Sequence, residues 1–155
     1  LWGFTLAVTM IYIIISIPRI RLRWRTFQET KAMKLAQGTP YHILHNRGLL
    51  AIISAFGVCM PAVVIMAIVR IAAPDMKIGL DALPTFLYLI AKIGFYMAVY
   101  FFQPALIASV LHGNRATRWI VQVNYRVNLV ITSLGIFSGI VPFICLGISN
   151  GDDSA

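Results

Sequence analysis

The sequence predicts an all-α integral membrane protein with four transmembrane helices in an up-down bundle. Of the 155 residues, 59% are hydrophobic and only 12% are charged, whereas soluble domains carry about 25% charged residues. The apolar residues form four long runs, and the basic residues are concentrated between them. This composition excludes a soluble globule, a disordered tail and a nucleic-acid-binding domain, despite a formal net charge of +8.

The four apolar runs have the length of membrane spans. A helix needs about 20 predominantly apolar residues to cross the hydrocarbon core, and a helix satisfies its own backbone hydrogen bonds there. The runs cover residues 1–17, 49–69, 82–111 and 127–148. We therefore expect residues 1–155 to form a single four-span domain.

The basic residues predict the orientation of these spans. The connector 18–48 contains one acid, Glu29, against a set of basic residues: Arg19, Arg21, Arg23, Arg25, Lys31, Lys34 and Arg47. The connector 112–126 contains three arginines and no acid. Because basic loops stay on the inner side, both termini are expected on the outer side of a bacterial or organellar inner membrane.

Capping residues predict helices that extend past the bilayer on the basic side. Thr39 and Pro40 have the pattern of an N-cap followed by a first helical residue, so the second helix is expected to run from Pro40 to Ala73. Asp81 is expected to cap the third helix. The segment Arg23–Gln37 is expected to form a separate amphipathic helix at the headgroups.

Lys92 lies in the third apolar run, and its depth has two interpretations. If the crossing ends at His112, Lys92 lies at the outer interface, and we expect it to reach the headgroups beside Arg70. If the helix begins at Ala82, Lys92 lies near the midplane, where a charge costs about 2.5–3.5 kcal/mol. The second interpretation would give a buried cation for an anionic substrate or a proton path.

Pro104 interrupts the same run. A proline inside a helix removes one backbone hydrogen bond and leaves a carbonyl free, here near residues 98–100. Gln103 is expected as a polar side chain available to a neighbouring helix.

Small residues at four-residue spacing predict close helix packing in lipid. Such pairs are Gly135 with Gly139, Ala51 with Ala55, and Gly94 with Ala98. We expect them to pack within the bundle, with self-association as the alternative.

No catalytic motif is present in the sequence, and no cofactor is predicted. His42, His45 and His112 fall on one side of the membrane and could bind a metal, although interfacial histidines at helix ends are the favoured interpretation. The aromatic third run could contact a quinone or a pigment, and bound lipid is expected.

The leading hypothesis is a non-catalytic subunit of a larger membrane complex, supplying surfaces for helix packing and for docking of lipid or another subunit. Its partners would be other transmembrane subunits and anionic headgroups, the latter bound by Arg19, Arg21, Arg23 and Arg25, named here the arginine comb, with Lys31 and Lys34. The alternative is a channel or carrier with a cationic path formed by Lys92, Arg70 and Gln103. A third possibility is a metal-dependent membrane enzyme that uses the three histidines.

Overall fold

The computed structural model describes residues 1–110 and 115–152, and over these ranges the chain is helical, without a strand. Helix α1 is Trp2–Ala36, α2 is Arg47–Ala72, α3 is Ala82–Val110 and α4 is Arg115–Asp152, and a short 3-10 turn, Ile43–His45, precedes α2. Each of the four helices contains a stretch that is long and apolar enough to span a membrane. The predicted all-helical membrane class is confirmed.

Helix α1 is longer than expected. It continues through Pro18 as one helix of 35 residues, so the prediction of a separate headgroup helix over Arg23–Gln37 is wrong. The helix ends at Ala36, and Gly38 follows its C-cap with a left-handed φ of +72°. There the Gly38 N–H donates to the Leu35 carbonyl and the Thr39 N–H donates to the Lys34 carbonyl, both at 3.0 Å. This is the Schellman pattern, in which glycine costs least.

Helix α2 begins later than expected. Asn46 is its N-cap, with Oδ1 accepting from the Leu49 N–H at 3.0 Å. The prediction that Thr39 and Pro40 start this helix is wrong, because the Thr39 hydroxyl donates to the Lys34 carbonyl at the end of α1 instead. The basic residues before Ala36 therefore extend α1, and not α2.

The middle of α2 departs from α-helical geometry. Residues Ile53–Cys59 form a π-helical segment, which is followed by Pro61 in the first turn of Met60–Ala72. At the end of this segment the Met60 N–H donates to the carbonyl of Ala55, five residues back. Pro61 has no N–H to donate to the preceding turn, so one backbone hydrogen bond of the helix is also missing at this position.

Loop 73–81 connects α2 to α3 and covers the start of α3. The Thr85 hydroxyl accepts from the Gly79 N–H at 2.7 Å and donates to the Asp81 carbonyl at 2.6 Å. Asp81 occupies the expected N-cap position of α3, where its carbonyl accepts from the Thr85 N–H at 3.2 Å, while its carboxylate accepts from the Lys77 N–H of the loop. Pro84, Thr85 and Leu87 are buried, and the first turns of α3 are therefore partly covered by this chain itself.

The helices contact one another in chain order. Trp2 of α1 lies against Arg70 at the end of α2, and Tyr12 stacks on Phe56 in the middle of α2. Similarly, α2 packs on α3, and α3 packs on α4. Among the described residues no extensive contact joins α1 to α3 or α4, or α2 to α4. The four helices thus form a row, and the up-down topology relative to a membrane stays a prediction.

Candidate functional site

Lys92 lies within the apolar part of α3. The helix runs from Ala82 to Val110. Lys92 is eleven residues after Asp81 and eleven before Gln103, which is about 17 Å from each at 1.5 Å per residue. The hydrocarbon core is about 30 Å thick. With 29 residues the helix is longer than a crossing requires, so both interpretations of the depth of Lys92 stay predictions.

The ammonium group of Lys92 is held between two rings and one hydroxyl. Its Nζ lies 5.3 Å from the ring centre of Tyr88 and 5.7 Å from that of Tyr96. The same Nζ donates to Ser138 Oγ of α4 at 3.3 Å, and Ser138 Oγ donates to the Gly135 carbonyl at 2.7 Å. Cation–π contacts of this kind stabilise a desolvated cation. A lysine ammonium carries three N–H donors, and one of them has an oxygen acceptor among the described side chains.

The two glycines of the GxxxG sequence of α4 provide the space for this arrangement. A Cβ atom at Gly139 would lie 3.2 Å from Lys92 Cβ, and one at Gly135 would overlap the Tyr96 ring. Gly135 and Gly139 thus allow α4 to approach the lysine and tyrosine face of α3. The predicted small-residue motif packs within this chain.

The chain offers no carboxylate near Lys92. Its five acidic residues are Glu29, Asp75, Asp81, Asp152 and Asp153. None lies between residues 82 and 151, so neither α3 nor the apolar length of α4 contributes a negative charge. The positive charge of Lys92 is therefore solvated by aromatic faces and a hydroxyl, and not by an ion pair.

Arg70 and Gln103 do not complete a site with Lys92. The Arg70 guanidinium lies 5.6 Å from the ring centre of Trp2 and donates to the Met76 carbonyl. It ties the end of α2 to loop 73–81, and no contact to Lys92 is found within the described residues. Gln103 is about 17 Å further along α3 from Lys92. Trp2 also lines the cavity of about 370 Å³ beside Lys92.

Asn128 of α4 is a polar residue that the sequence analysis did not single out. It is 1% exposed and its Nδ2 donates to the Tyr100 carbonyl at 3.2 Å. Tyr100 is four residues before Pro104, so its carbonyl is the one that lacks a helical N–H donor. The expected free carbonyl near residues 98–100 is present, and Asn128 rather than Gln103 donates to it.

The basic end of α1 is largely exposed. All four arginines of the arginine comb, together with Lys31 and Lys34, have exposed side chains, and the Lys34 ammonium lies 5.2 Å from the Tyr41 ring centre. Arg23 differs from the rest of the comb because it lines a groove between helices. This groove also contains Ala51, Ala55 and Ala98.

The histidine cluster is not assembled in the part of the chain that the structure describes. The rings of His42 and His45 stack with centres 6.2 Å apart, and no group of three metal-ligating side chains is found among the described residues. His112 lies outside the described residues. The metal site stays a prediction without structural support.

Comparison with known proteins returned no match to any family model, curated protein or solved structure. The functional argument therefore rests on the geometry of this chain.

Proposed function

We propose that this chain is a non-catalytic, multi-pass subunit of a larger membrane complex. In this proposal the four helices form an up-down array with their basic connectors inside and both termini on the outer side of a bacterial or organellar inner membrane. The observation that carries the proposal is Lys92, a cation within the apolar part of α3 on a chain that has no acidic residue between residues 82 and 151.

The physical argument concerns the cost of an unpaired charge in lipid. A lysine at the centre of a span costs about 2.5–3.5 kcal/mol, and intramembrane charges generally pair with one another or face a polar cavity. Tyr88, Tyr96 and Ser138 reduce this cost without cancelling the charge. An aspartate or glutamate on a transmembrane helix of a partner subunit would supply the missing negative charge.

The row of helices supports the same proposal. In the most apolar part of each helix only 6% (α1), 17% (α2 and α3) and 22% (α4) of the residues are buried within the chain. All four helices therefore leave broad apolar faces uncovered. Lipid or neighbouring helices cover such faces in a membrane, and a packing subunit requires this kind of surface.

Purification from the native membrane in mild detergent tests the proposal. The wild-type chain is expected to co-purify with a membrane protein that has an acidic residue within a span, and cross-linking from a photoreactive residue at Phe95 should identify that span. Lys92→Met should reduce the recovery of the partner at least tenfold, whereas Lys92→Arg, which keeps the charge, should retain most of it. Lys77→Met, in the exposed loop before α3, is the matched control and should have no effect.

Two outcomes would contradict the subunit proposal. One is a wild-type chain that purifies from its native membrane as a monodisperse monomer. The other is full recovery of the partner with the Lys92→Met protein.

A channel or carrier is the second candidate, because Lys92 borders a cavity of about 370 Å³ lined by Trp2, Val63 and Tyr88 among others. A cation in a pore wall selects anions. Chloride flux into liposomes containing the purified chain alone would support this function if Lys92→Met abolished the flux. Absence of flux from the wild-type chain would remove it.

A further inference from the structure

A groove between α1 and α3, with α2 as its floor, lies on the inner half of the chain. Its floor contains small residues of α2, namely Gly48, Ala51 and Ala55, and its side on α3 contains Phe95 and Phe102. Its volume is about 420 Å³, within the usual range for small-molecule sites. Since α1 and α3 have no extensive contact with each other, the groove is open between them.

The length of the groove matches one leaflet of a bilayer. On α2 it runs from Gly48 to Met60, which is about 18 Å at 1.5 Å per residue. One leaflet contributes about half of a hydrocarbon core of about 30 Å. The Gly48 end is the basic end, next to Arg47, and the Met60 end is near the middle of the span.

Among the residues that line the groove, Arg23 is the charged one. No carboxylate lies within ion-pair distance of Arg23 among the side chains that the structure describes, and Arg23 is exposed. A guanidinium binds phosphate through two parallel hydrogen bonds. The remaining lining side chains are apolar apart from the hydroxyl of Tyr12 and the thiol of Cys59, so the groove favours a hydrocarbon chain.

From these observations we propose that the groove binds an acidic glycerophospholipid, with one acyl chain along the α2 floor and the phosphate on Arg23. The site is independent of the subunit proposal, because it needs neither Lys92 nor a partner. The inner leaflet attracts basic segments through its acidic lipids. In this proposal Arg23 binds one lipid phosphate in the groove. The other arginines of the comb attract acidic headgroups without a specific site.

Native mass spectrometry of the purified full chain tests the site, with equimolar phosphatidylglycerol and phosphatidylcholine as probes. The wild-type chain should retain one phosphatidylglycerol, with a preference over phosphatidylcholine of at least about fivefold. Arg23→Gln should reduce this preference to below about twofold. Arg21→Gln, an exposed neighbour in the comb that does not line the groove, is the matched control and should keep the preference.

A second variant separates the groove from the charge. Ala98→Phe should fill the groove and reduce the retention of both lipids, while circular dichroism shows that the helices remain. The proposal is overturned if Arg21→Gln and Arg23→Gln reduce the preference equally, if phosphatidylcholine binds as well as phosphatidylglycerol, or if the wild-type chain retains no lipid. It is also overturned if Ala98→Phe, with its helices intact, binds both lipids like the wild-type chain.

Discussion

At the scale of single residues, Asn128 donates to the Tyr100 carbonyl, which Pro104 leaves without its helical donor. A buried carbonyl without a partner is costly in an apolar environment. Asn128 is almost fully buried, and its Oδ1 has no hydrogen-bond partner among the described residues. The Asn128 side chain is therefore buried although only its Nδ2 makes a hydrogen bond. We infer that this bond is important for the packing of α4 on α3.

Asn128→Leu is expected to reduce the free energy of unfolding in mixed micelles by about 1–2 kcal/mol. In a Pro104→Ala background the restored N–H can bond to Tyr100, so the cost of Asn128→Leu should fall by at least half. A double-mutant cycle measured by denaturant titration gives this coupling directly. Gln122→Leu, at an exposed position of α4, is the control. Equal costs of Asn128→Leu in the two backgrounds would disprove the link.

Gly94 allows a close approach between α2 and α3. A Cβ atom there would lie 2.6 Å from the Cys59 backbone nitrogen, so Gly94→Ala must push the two helices apart. We expect a loss of about 1–3 kcal/mol in the free energy of unfolding. Gly147→Ala has nothing within 4 Å of its new Cβ and should be neutral or stabilising by up to about 1 kcal/mol. A destabilisation by Gly147→Ala as large as that by Gly94→Ala would contradict this packing.

The sequence predicts such residues only in part. The spacing of Gly94 with Ala98, and the position of Pro104, indicate a close approach and a free carbonyl. They do not indicate which helix lies opposite, because that depends on the relative rotation of α3 and α4. For this reason Gln103 was expected as the interhelical polar residue, and the role of Asn128 was missed.

At the scale of helices, the π-helical segment Ile53–Cys59 of α2 lies opposite Gly94. A π turn contains one more residue than an α turn, because its hydrogen bonds join residues five apart. Pro61 follows this segment and interrupts the ladder in the same region. Removing one residue here should restore regular α-helix without rotating Met60–Ala72 relative to α3.

Deletion of Gly57, an exposed residue of this segment, should therefore be tolerated. Deletion of Val64 within Met60–Ala72 should rotate part of the helix by about 100° and expose buried residues such as Met66 and Ala67. Thermal unfolding in detergent should show the Gly57 deletion to be the more stable protein by at least about 2 kcal/mol. Equal destabilisation by the two deletions would contradict the role of the π segment.

The helices were predictable in number, and their ends less so. Apolar length identifies four spans because each must bury about 20 residues in lipid. The sequence pattern Thr39-Pro40 also suits a helix start, but Gly38 and Thr39 complete the end of α1, and Asn46 caps α2 instead. The sequence offers both capping patterns, and its periodicity does not show which of them starts α2.

At the scale of the whole molecule, the helices form a row. The two ends of the molecule along the helix axes differ in charge. Trp2, Arg70 and loop 73–81 lie at one end, and the arginine comb, Tyr41 and Arg47 lie at the other. Composition predicts this division through the distribution of basic residues, but it does not predict which helices touch. The row leaves both outer helices available to lipid or to neighbouring subunits.

Labelling of single cysteines with a membrane-impermeant maleimide tests the four-span orientation most directly. In a chain carrying Cys59→Ala and Cys145→Ala, Lys77→Cys should be labelled in intact, outer-side-out vesicles. Glu29→Cys should be labelled only after the membrane is permeabilised, because basic connectors stay inside. Labelling of Glu29→Cys in intact vesicles, or equal labelling of both positions, would contradict the account.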